Sequence, residues 1–213
     1  MFLFLWVVFV LAAVGFFLWS THALFEQKRA WKAYAKKFNL NYTPGTMMQS
    51  PSMAGEIKGH RVNFYPQLSE NDQGQRSTKN VIEVFLNDIP NTLCVVASRG
   101  FMDFVALLDL PEPFTVDDSN WPNNLLTRSL EDEEANVWFL NNKDRIIAIQ
   151  NLSKLPFDTA FVCDGEQSFI AIRTSNSLGD PRRLNQVVGK LFDIIKMLES
   201  HESEDKDNAK PVI

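Results

Sequence analysis

The pattern of hydrophobic and polar positions begins with a long, almost wholly apolar stretch. Residues 2–19, FLFLWVVFVLAAVGFFLW, carry no charged side chain. A helix of this length covers about 27 Å at 1.5 Å per residue, close to the roughly 30 Å hydrocarbon core of a bilayer. Trp6 and Trp19 lie near its two ends, where indole rings favour the boundary between lipid and water. The pattern predicts a transmembrane anchor over residues 1–20.

A cleavable signal peptide is the alternative interpretation of this stretch. Such a peptide has a positively charged N-terminal region, whereas this sequence begins Met-Phe-Leu. Thr21-His22-Ala23 is a weak match to a small-residue cleavage site. The apolar run is also longer than the hydrophobic region of a usual signal peptide. The anchor is therefore the favoured interpretation.

A helical period continues over residues 21–39, which follow the anchor. Trp31, Tyr34 and Phe38 lie on one side of this helix at 100° per residue. We treat them as interface candidates, which either dip into the membrane surface or pack on the following domain. The basic residues spread over the opposite side: Lys28, Arg29, Lys32, Lys36 and Lys37. The sequence predicts a basic juxtamembrane helix that leaves the bilayer with little break, because neither Gly nor Pro interrupts it.

Positive charge thus flanks the C-terminal side of the anchor. The positive-inside rule then places the N-terminus outside and the domain in the cytoplasm, as in a single-pass protein of the inner or plasma membrane. Each Lys or Arg at the cytoplasmic headgroup layer gains about 1 kcal/mol from anionic lipid. Anionic lipid headgroups are therefore an expected partner of the membrane-proximal basic residues, although setting the topology alone would account for them.

Residues 40–200 have the pattern of a soluble domain. MAGEIKGHRVNFYPQL predicts a β-hairpin that turns at Lys58-Gly59. VIEVFLND and TLCVVAS predict two further strands. FMDFVALLDL fits either a short helix or a buried strand.

The second half of this domain predicts a helix, two hairpins and a final helix. The first helix starts at Pro122, carries Leu125, Leu126 and Leu130, and ends in the acidic run EDEE. NVWFL and RIIAIQNL, separated by NNKD, predict one hairpin. TAFVCDGEQSFIAIRT predicts the other, with its turn at Asp164-Gly165. A strongly amphipathic helix of four turns follows.

The predicted fold class is α+β: a transmembrane helix followed by a mainly antiparallel β-sheet domain with packed helices, since hairpins imply antiparallel pairing. The order of elements also fits two repeated α-β-β-β-β units, although no residue-level repeat accompanies it. Residues 201–213 are highly charged and lack apolar periodicity, which predicts a disordered tail.

The charge balance limits the partners of the soluble part. The chain holds 21 Lys and Arg against 26 Asp and Glu; five of these basic residues and one acid lie in residues 1–38, which leaves 16 against 25, or −9, for the rest. Contacts to phosphate require clustered Lys and Arg. We therefore expect no nucleic-acid partner.

Motifs for common chemistries do not occur in the sequence. Neither a phosphate-binding glycine loop nor a G-x-S-x-G motif is present, and His22, His60 and His201 lack metal-ligand spacing. Cys94 and Cys163 lie in strand-like apolar runs. They are expected to be buried thiols, with a disulfide as the alternative in an exported domain. No catalytic residue, cofactor or metal is predicted.

These observations favour a membrane-anchored protein whose cytoplasmic domain is a protein-interaction or membrane-proximal scaffold module, with an unidentified protein partner, and not an enzyme. The alternative is a small-ligand or lipid-binding domain, in which the sheet and residues 182–198 enclose an apolar cavity. The least favoured hypothesis is a hydrolase that uses Cys or Ser with His60.

Overall fold

The computed structural model describes residues 2–46, 49–70, 76–87, 92–111 and 113–200. It has the predicted α+β class, with one long apolar N-terminal helix and eight antiparallel strands. The helices are α1 (Phe2–Phe38), α2 (Met102–Leu107), α3 (Asp132–Leu140), α4 (Lys143–Ser153) and α5 (Pro181–Leu198), and a 3-10 turn (Arg99–Phe101) precedes α2. The strands are β1 (Asn41–Thr43), β2 (Ser52–Ile57), β3 (His60–Glu70), β4 (Arg76–Phe85), β5 (Cys94–Ala97), β6 (Leu126–Ser129), β7 (Asp158–Cys163) and β8 (Ser168–Thr174).

The strand order in the sheet is β1-β2-β3-β4-β8-β7-β5-β6. The chain divides into two compact units. Unit 1 comprises Met1–Phe85 and Phe169–Lys190, and unit 2 comprises Leu86–Ser168 and Leu191–Ile213.

Helix α1 runs without a break from the apolar stretch through the basic segment, as the sequence predicts. It ends where Asn39 adopts a positive φ of 56° and the Leu40 N–H donates to the Ala35 carbonyl at 2.9 Å. This is the Schellman arrangement that commonly closes helices, with Asn in the left-handed position. The chain then turns back into β1.

Unit 1 contains the predicted hairpin at Lys58-Gly59. Both residues have positive φ, 54° and 83°, as a two-residue type I′ turn requires, and Ile57 pairs with His60 beside it. Strand β3 continues to Glu70 and β4 begins at Arg76. The two strands therefore extend into the polar segment SENDQGQRSTKN, which separates the predicted strands in the sequence.

Unit 2 is built around an aromatic cluster. Phe139 on α3 lies at its centre, and the Trp138 ring stacks on Phe161 of β7 with centroids 5.5 Å apart and planes 7° apart. Four rings contact that of Phe139: those of Phe114, Trp121, Trp138 and Phe161. The predicted turn at Asp164-Gly165 is confirmed: the Asp164 carboxylate accepts the backbone N–H groups of Glu166 and Gln167.

The predicted helix starting at Pro122 is wrong. Leu126–Ser129 form β6, paired with β5, and their burial alternates with the period of a strand. The acidic run that was expected to end a helix instead begins α3, with Asp132, Glu133 and Glu134 in its first turn. Negative charge is favourable at a helix N-terminus, so this position is the electrostatically better one.

The predicted hairpin of NVWFL and RIIAIQNL is also wrong, because the two segments lie in α3 and α4. Asn142 in the presumed turn is the N-cap of α4, and its side chain accepts the Asp144 backbone N–H at 2.9 Å. Ile146, Ile149 and Leu152 are buried three residues apart, as on one helix face. The element order after β5 therefore differs from a helix plus four strands, and the repeat is not confirmed.

The final helix is confirmed as α5, and its apolar face is buried. The buried positions are Leu184, Val187, Val188, Leu191, Phe192, Ile194, Ile195 and Leu198. The segment for which a disordered tail is predicted, residues 201–213, lies outside the described residues.

Candidate membrane-proximal site

Two parts of α1 differ sharply in their surroundings. By length and composition, α1 is able to cross a membrane: its most apolar window has a mean hydropathy of 2.2, and none of that window is buried. From Gln27 onwards one side of the same helix is buried in unit 1. A single helix therefore joins an exposed apolar rod to the core of a folded unit.

The buried side of α1 includes two of the three interface candidates. Trp31 is 0% exposed and Tyr34 is 4% exposed. Both rings lie against Phe64 of β3 with centroids 5.9 Å apart, Trp31 edge-on. Trp31 and Tyr34 therefore pack on the domain and do not extend to the surface of unit 1.

Phe38 lies at the rim of this packing and is only partly buried. Its ring centroid is 4.7 Å from that of Tyr34, and the Lys37 ammonium lies 4.8 Å from the Phe38 centroid. A cation over an aromatic face is a favourable contact. Lys37 is thus held at the end of α1.

Polar contacts also attach α1 to the rest of unit 1, through a residue that the sequence pattern does not mark. The amide of Gln27, which is buried, donates to Asn80 Oδ1 at 2.9 Å and accepts from Ser50 Oγ at 3.2 Å. Asn80 in turn donates to the Asn176 carbonyl at 2.9 Å. A lone Gln in an amphipathic pattern gives no signal of burial, because its partners come from distant parts of the chain.

Gly179 brings the loop after β8 close to α1. A Cβ at this position would lie 3.3 Å from the Gln27 backbone nitrogen. That separation is tighter than ordinary contact, so the absence of a side chain allows the approach.

The membrane-proximal basic residues occupy the side of α1 opposite Trp31 and Tyr34. Arg29, Lys32, Lys36 and Lys37 are exposed, whereas Lys28 is partly buried and donates to the Thr46 carbonyl. Arg29 pairs with Glu26 at 3.3 Å across one turn, a contact between exposed groups that contributes little to stability.

Distance along the axis relates these charges to the apolar surface. Phe25 is the last large exposed apolar side chain of α1. At 1.5 Å per residue, Arg29 lies about 6 Å and Lys32 about 10 Å beyond it. The headgroup layer on each side of a bilayer is about 5–8 Å thick, so the first basic residues follow the apolar surface at headgroup spacing.

Unit 1 also holds a polar cluster on the strands β3, β4 and β8. The Tyr65 hydroxyl donates to Glu83 Oε1 at 2.5 Å, and Asn63 Nδ2 donates to Glu83 Oε2 at 3.1 Å. Arg173, almost wholly buried, donates to Gln67 Oε1 at 2.9 Å. Burial, the hydrogen bond to Glu83 and the charge of Glu83 raise the pKa of Tyr65, and Arg173 acts in the opposite direction.

Unit 2 contains an open cleft of 390 Å³ on α3. Its lining residues are Thr92, Glu133, Glu134, Val137, Trp138 and Asn141. A hydrogen bond with Glu131, together with that group's charge, raises the pKa of Glu134. Trp138 is held on one face by the Arg145 guanidinium at 4.1 Å. None of these lining residues belongs to residues 182–198, which were predicted to enclose a cavity with the sheet.

The proposed nucleophiles and base of a hydrolase lie in settings unlike those of a catalytic pair. Burial raises the pKa of both thiols, Cys94 and Cys163, whereas a nucleophilic thiol needs a lowered pKa. His60 Nδ1 lies 3.0 Å from the Phe85 carbonyl oxygen. Among the described residues, no group of three or more His, Cys, Asp or Glu side chains is placed to hold a metal ion.

No family model matches the chain, and neither a curated protein nor a solved structure matches it.

Proposed function

We propose that this chain is a single-pass membrane protein whose cytoplasmic part is a protein-interaction or scaffold module held close to the membrane surface. The observation that supports this most is the continuity of α1. Its apolar half has no protein surface to cover it within the described chain, and its second half is part of the core of unit 1.

The apolar half of α1 presents a large hydrophobic surface. Its exposed large side chains include Phe9, Leu11, Phe16 and Leu18. Exposing such a surface to water is costly, and burial in hydrocarbon removes that cost. Thr21, part of the weak cleavage-site match, donates its hydroxyl to the Phe17 and Leu18 carbonyls inside the continuous helix. An anchor that remains attached fits this helical setting.

The basic side of α1 supports one orientation of the chain in the membrane. The basic residues begin one turn beyond Phe25, and those from Arg29 to Lys37 lie on the exposed side of α1. Lys and Arg next to a span favour the cytoplasmic side. Anionic headgroups there add an attraction for each cation. We therefore propose a cytoplasmic domain with the N-terminus outside.

We propose interaction, and not catalysis, as the role of the domain. The thiols have raised rather than lowered pKa values, and the described residues contain no candidate metal cluster. The contacts of Trp31, Tyr34 and Gln27 with the rest of unit 1 fit a module that presents its surface at a fixed height above the bilayer.

Anchoring is tested by placing charge in the apolar half of α1. Val10 and Val14 are 45% and 50% exposed, so Val10→Arg with Val14→Arg removes no core contact. Each Arg costs about 2.5–3.5 kcal/mol at the centre of a span. We expect alkaline carbonate to leave the native protein in the membrane pellet and to release the arginine variant.

The matched control is Val10→Leu with Val14→Leu, which should stay in the pellet. Release of the native protein by carbonate would contradict the proposal, as would retention of the arginine variant.

The interaction role is tested by site-specific photo-crosslinking in intact membranes. Suitable probe positions are Leu107, Leu130 and Val137, which are exposed in unit 2. We expect a discrete protein adduct when the chain is present in the membrane at its native expression level. An excess of the chain without the probe should compete with this adduct. The absence of any discrete protein adduct at all three positions would count against an interaction module.

Small-ligand binding is the second candidate function, and the cleft on α3 is the observation that favours it. Glu133, Glu134 and Asn141 would provide acceptors for a cationic ligand. Titration with a polyamine, followed by calorimetry, tests this. Saturable binding that is lost in Glu133→Gln but kept in Glu166→Gln would support this function. The absence of a saturable heat of binding would contradict it.

A further inference from the structure

Cys94 and Cys163 stand directly opposite each other on neighbouring antiparallel strands. The register of β5 and β7 pairs Cys94 with Cys163, Val95 with Val162 and Val96 with Phe161. Directly opposed residues of an antiparallel pair project to the same face of a sheet. Both side chains are buried, at 0% and 1% exposure. The two thiols therefore share one enclosed space in unit 2.

The antiparallel register defines the spacing of the pair. Directly opposite residues of such a ladder have Cα atoms about 4.5–5.5 Å apart, whichever kind of pair they form. Disulfides join Cα atoms that are about 4.4–6.8 Å apart, most often about 5.5–6 Å.

We propose that Cys94 and Cys163 are a disulfide-forming pair, which closes into a cross-strand disulfide when unit 2 folds in the presence of a low-molecular-weight disulfide. This modification goes beyond the proposed membrane role and does not depend on it.

The chemistry is two successive thiol–disulfide exchanges. One cysteine thiolate attacks the small disulfide, forming a mixed disulfide and releasing one small thiolate. The second cysteine thiolate attacks the protein sulfur of that mixed disulfide, forming the Cys94–Cys163 bond and releasing the second small thiolate. The two protons lost by the cysteines end on the two released thiols. The protein is oxidised by two electrons, and the small disulfide is reduced by two.

The surroundings determine when this exchange is possible. Burial raises the pKa of both thiols; at Cys163 the hydrogen bond from the Gly165 backbone lowers the pKa in part, and the charge of Asp164 raises it. Thiolate is the reactive form, so the pair reacts slowly once the sheet has closed. The opening of unit 2, or its folding, admits the small disulfide, and the register then holds the two sulfurs on the same side.

The test uses the full chain in detergent micelles, refolded from guanidinium in buffers with graded ratios of oxidised to reduced glutathione. Starting from the denatured chain prevents burial from limiting the reaction. Thiols are trapped with an alkylating reagent in acid, and the products are identified by intact mass and peptide mapping. The same ratios are applied to the chain kept in guanidinium.

We expect peptide mapping of the refolded protein to find an intramolecular Cys94–Cys163 disulfide. This disulfide should form at a ratio of oxidised to reduced glutathione at least tenfold lower than the ratio at which it forms in the chain kept in guanidinium. A bond that closes a long loop should also raise the Tm by several degrees. Refolded protein that needs the same or a more oxidising ratio than the denatured chain, or that carries only mixed disulfides with glutathione, would overturn the proposal.

Two controls separate register from the mere presence of two cysteines. In Cys163→Ser with Ala160→Cys, the second thiol moves to the opposite face of the same strand. This variant should form no more intramolecular disulfide after refolding than it forms in guanidinium. Cys94→Ser alone should form only a mixed disulfide with glutathione. If the Ala160→Cys variant does not fold, the comparison of native and denatured wild-type chains still decides the outcome.

Discussion

Trp31 is the largest fully buried side chain on α1. It has no exposed surface, and its ring meets Phe64 edge-on. Its indole Nε1 is buried without a hydrogen-bond acceptor in the part of the chain that the structure describes. The contribution of Trp31 is therefore packing, not hydrogen bonding.

Replacing Trp31 by Ala should destabilise unit 1 by about 3–5 kcal/mol, the usual cost of the cavity left by a buried large aromatic ring. Urea unfolding of the full chain in micelles, followed by circular dichroism, measures this change. Trp31→Phe keeps a ring and loses no hydrogen bond, so its cost should be markedly smaller. Equal midpoints for native protein and Trp31→Ala would show that α1 does not pack as described.

Tyr65 gives unit 1 a defined response to alkaline pH. Its phenol has an ordinary pKa of 10.0, which burial, the hydrogen bond to Glu83 and the charge of Glu83 raise in the folded protein. Above about pH 10 the unfolded chain loses a proton that the folded protein keeps. The contribution of this group to stability is therefore complete below that pH and is lost as the pH rises through the raised pKa.

Tyr65→Phe should lower the free energy of unfolding by about 1–2 kcal/mol at neutral pH, because Glu83 loses a donor. Above about pH 10 the Tm of the variant should fall less steeply than that of the native protein. A series of melting curves from neutral to alkaline pH tests both statements. Parallel Tm profiles would mean that Tyr65 does not hold its proton more tightly in the folded state.

Helix α1 shows what a periodic pattern can predict. Its length, its continuity and the opposition of apolar and basic sides follow from residues 2–38 alone, since the helical period persists without Gly or Pro in the juxtamembrane part. The burial of Gln27 does not follow, because Asn80 and Ser50 reach it from separate parts of the chain.

Helices α3 and α4 show where short patterns fail. NVWFL and RIIAIQNL are apolar runs short enough for either a strand or a helix. The local signals that decide between them are the acidic first turn of α3 and the Asn142 cap of α4. Asp and Asn are also common in turns, so these signals fit a hairpin as well. The hairpins at Lys58-Gly59 and Asp164-Gly165 were predictable because a Gly with positive φ marks each turn.

The basic side of α1 should bind anionic lipid. Arg29→Glu with Lys32→Glu changes exposed residues at headgroup distance and should leave unit 1 folded. At about 1 kcal/mol for each cation, the ratio of anionic to zwitterionic phospholipid retained after mild detergent extraction should fall roughly tenfold or more. Mass spectrometry of the extracted lipid measures this ratio.

Arg183→Glu with Lys190→Glu is the matched control, because it reverses one exposed Arg and one exposed Lys on α5. It should retain lipid as the native protein does. If both double variants retain the same lipid ratio, the basic side of α1 does not select anionic headgroups.

At the scale of the whole molecule, the unbroken helix α1 links the proposed position in the membrane to the fold of unit 1. The apolar half would lie in the bilayer, the basic side would lie at the headgroups, and Trp31 and Tyr34 bind the same helix to unit 1. Unit 1 would then be held to the span without a flexible linker between them.

Topology mapping of the full chain is the most direct test of this account. Two fusions after Ile213 are compared in the same cells, one to a reporter that folds only in the cytoplasm and one to an enzyme that is active only after export. With α1 as an anchor and the basic residues on the inner side, the cytoplasmic reporter should be active, the exported enzyme silent, and both fusions retained in carbonate-washed membranes. Activity of the exported enzyme, with a silent cytoplasmic reporter, would contradict the account.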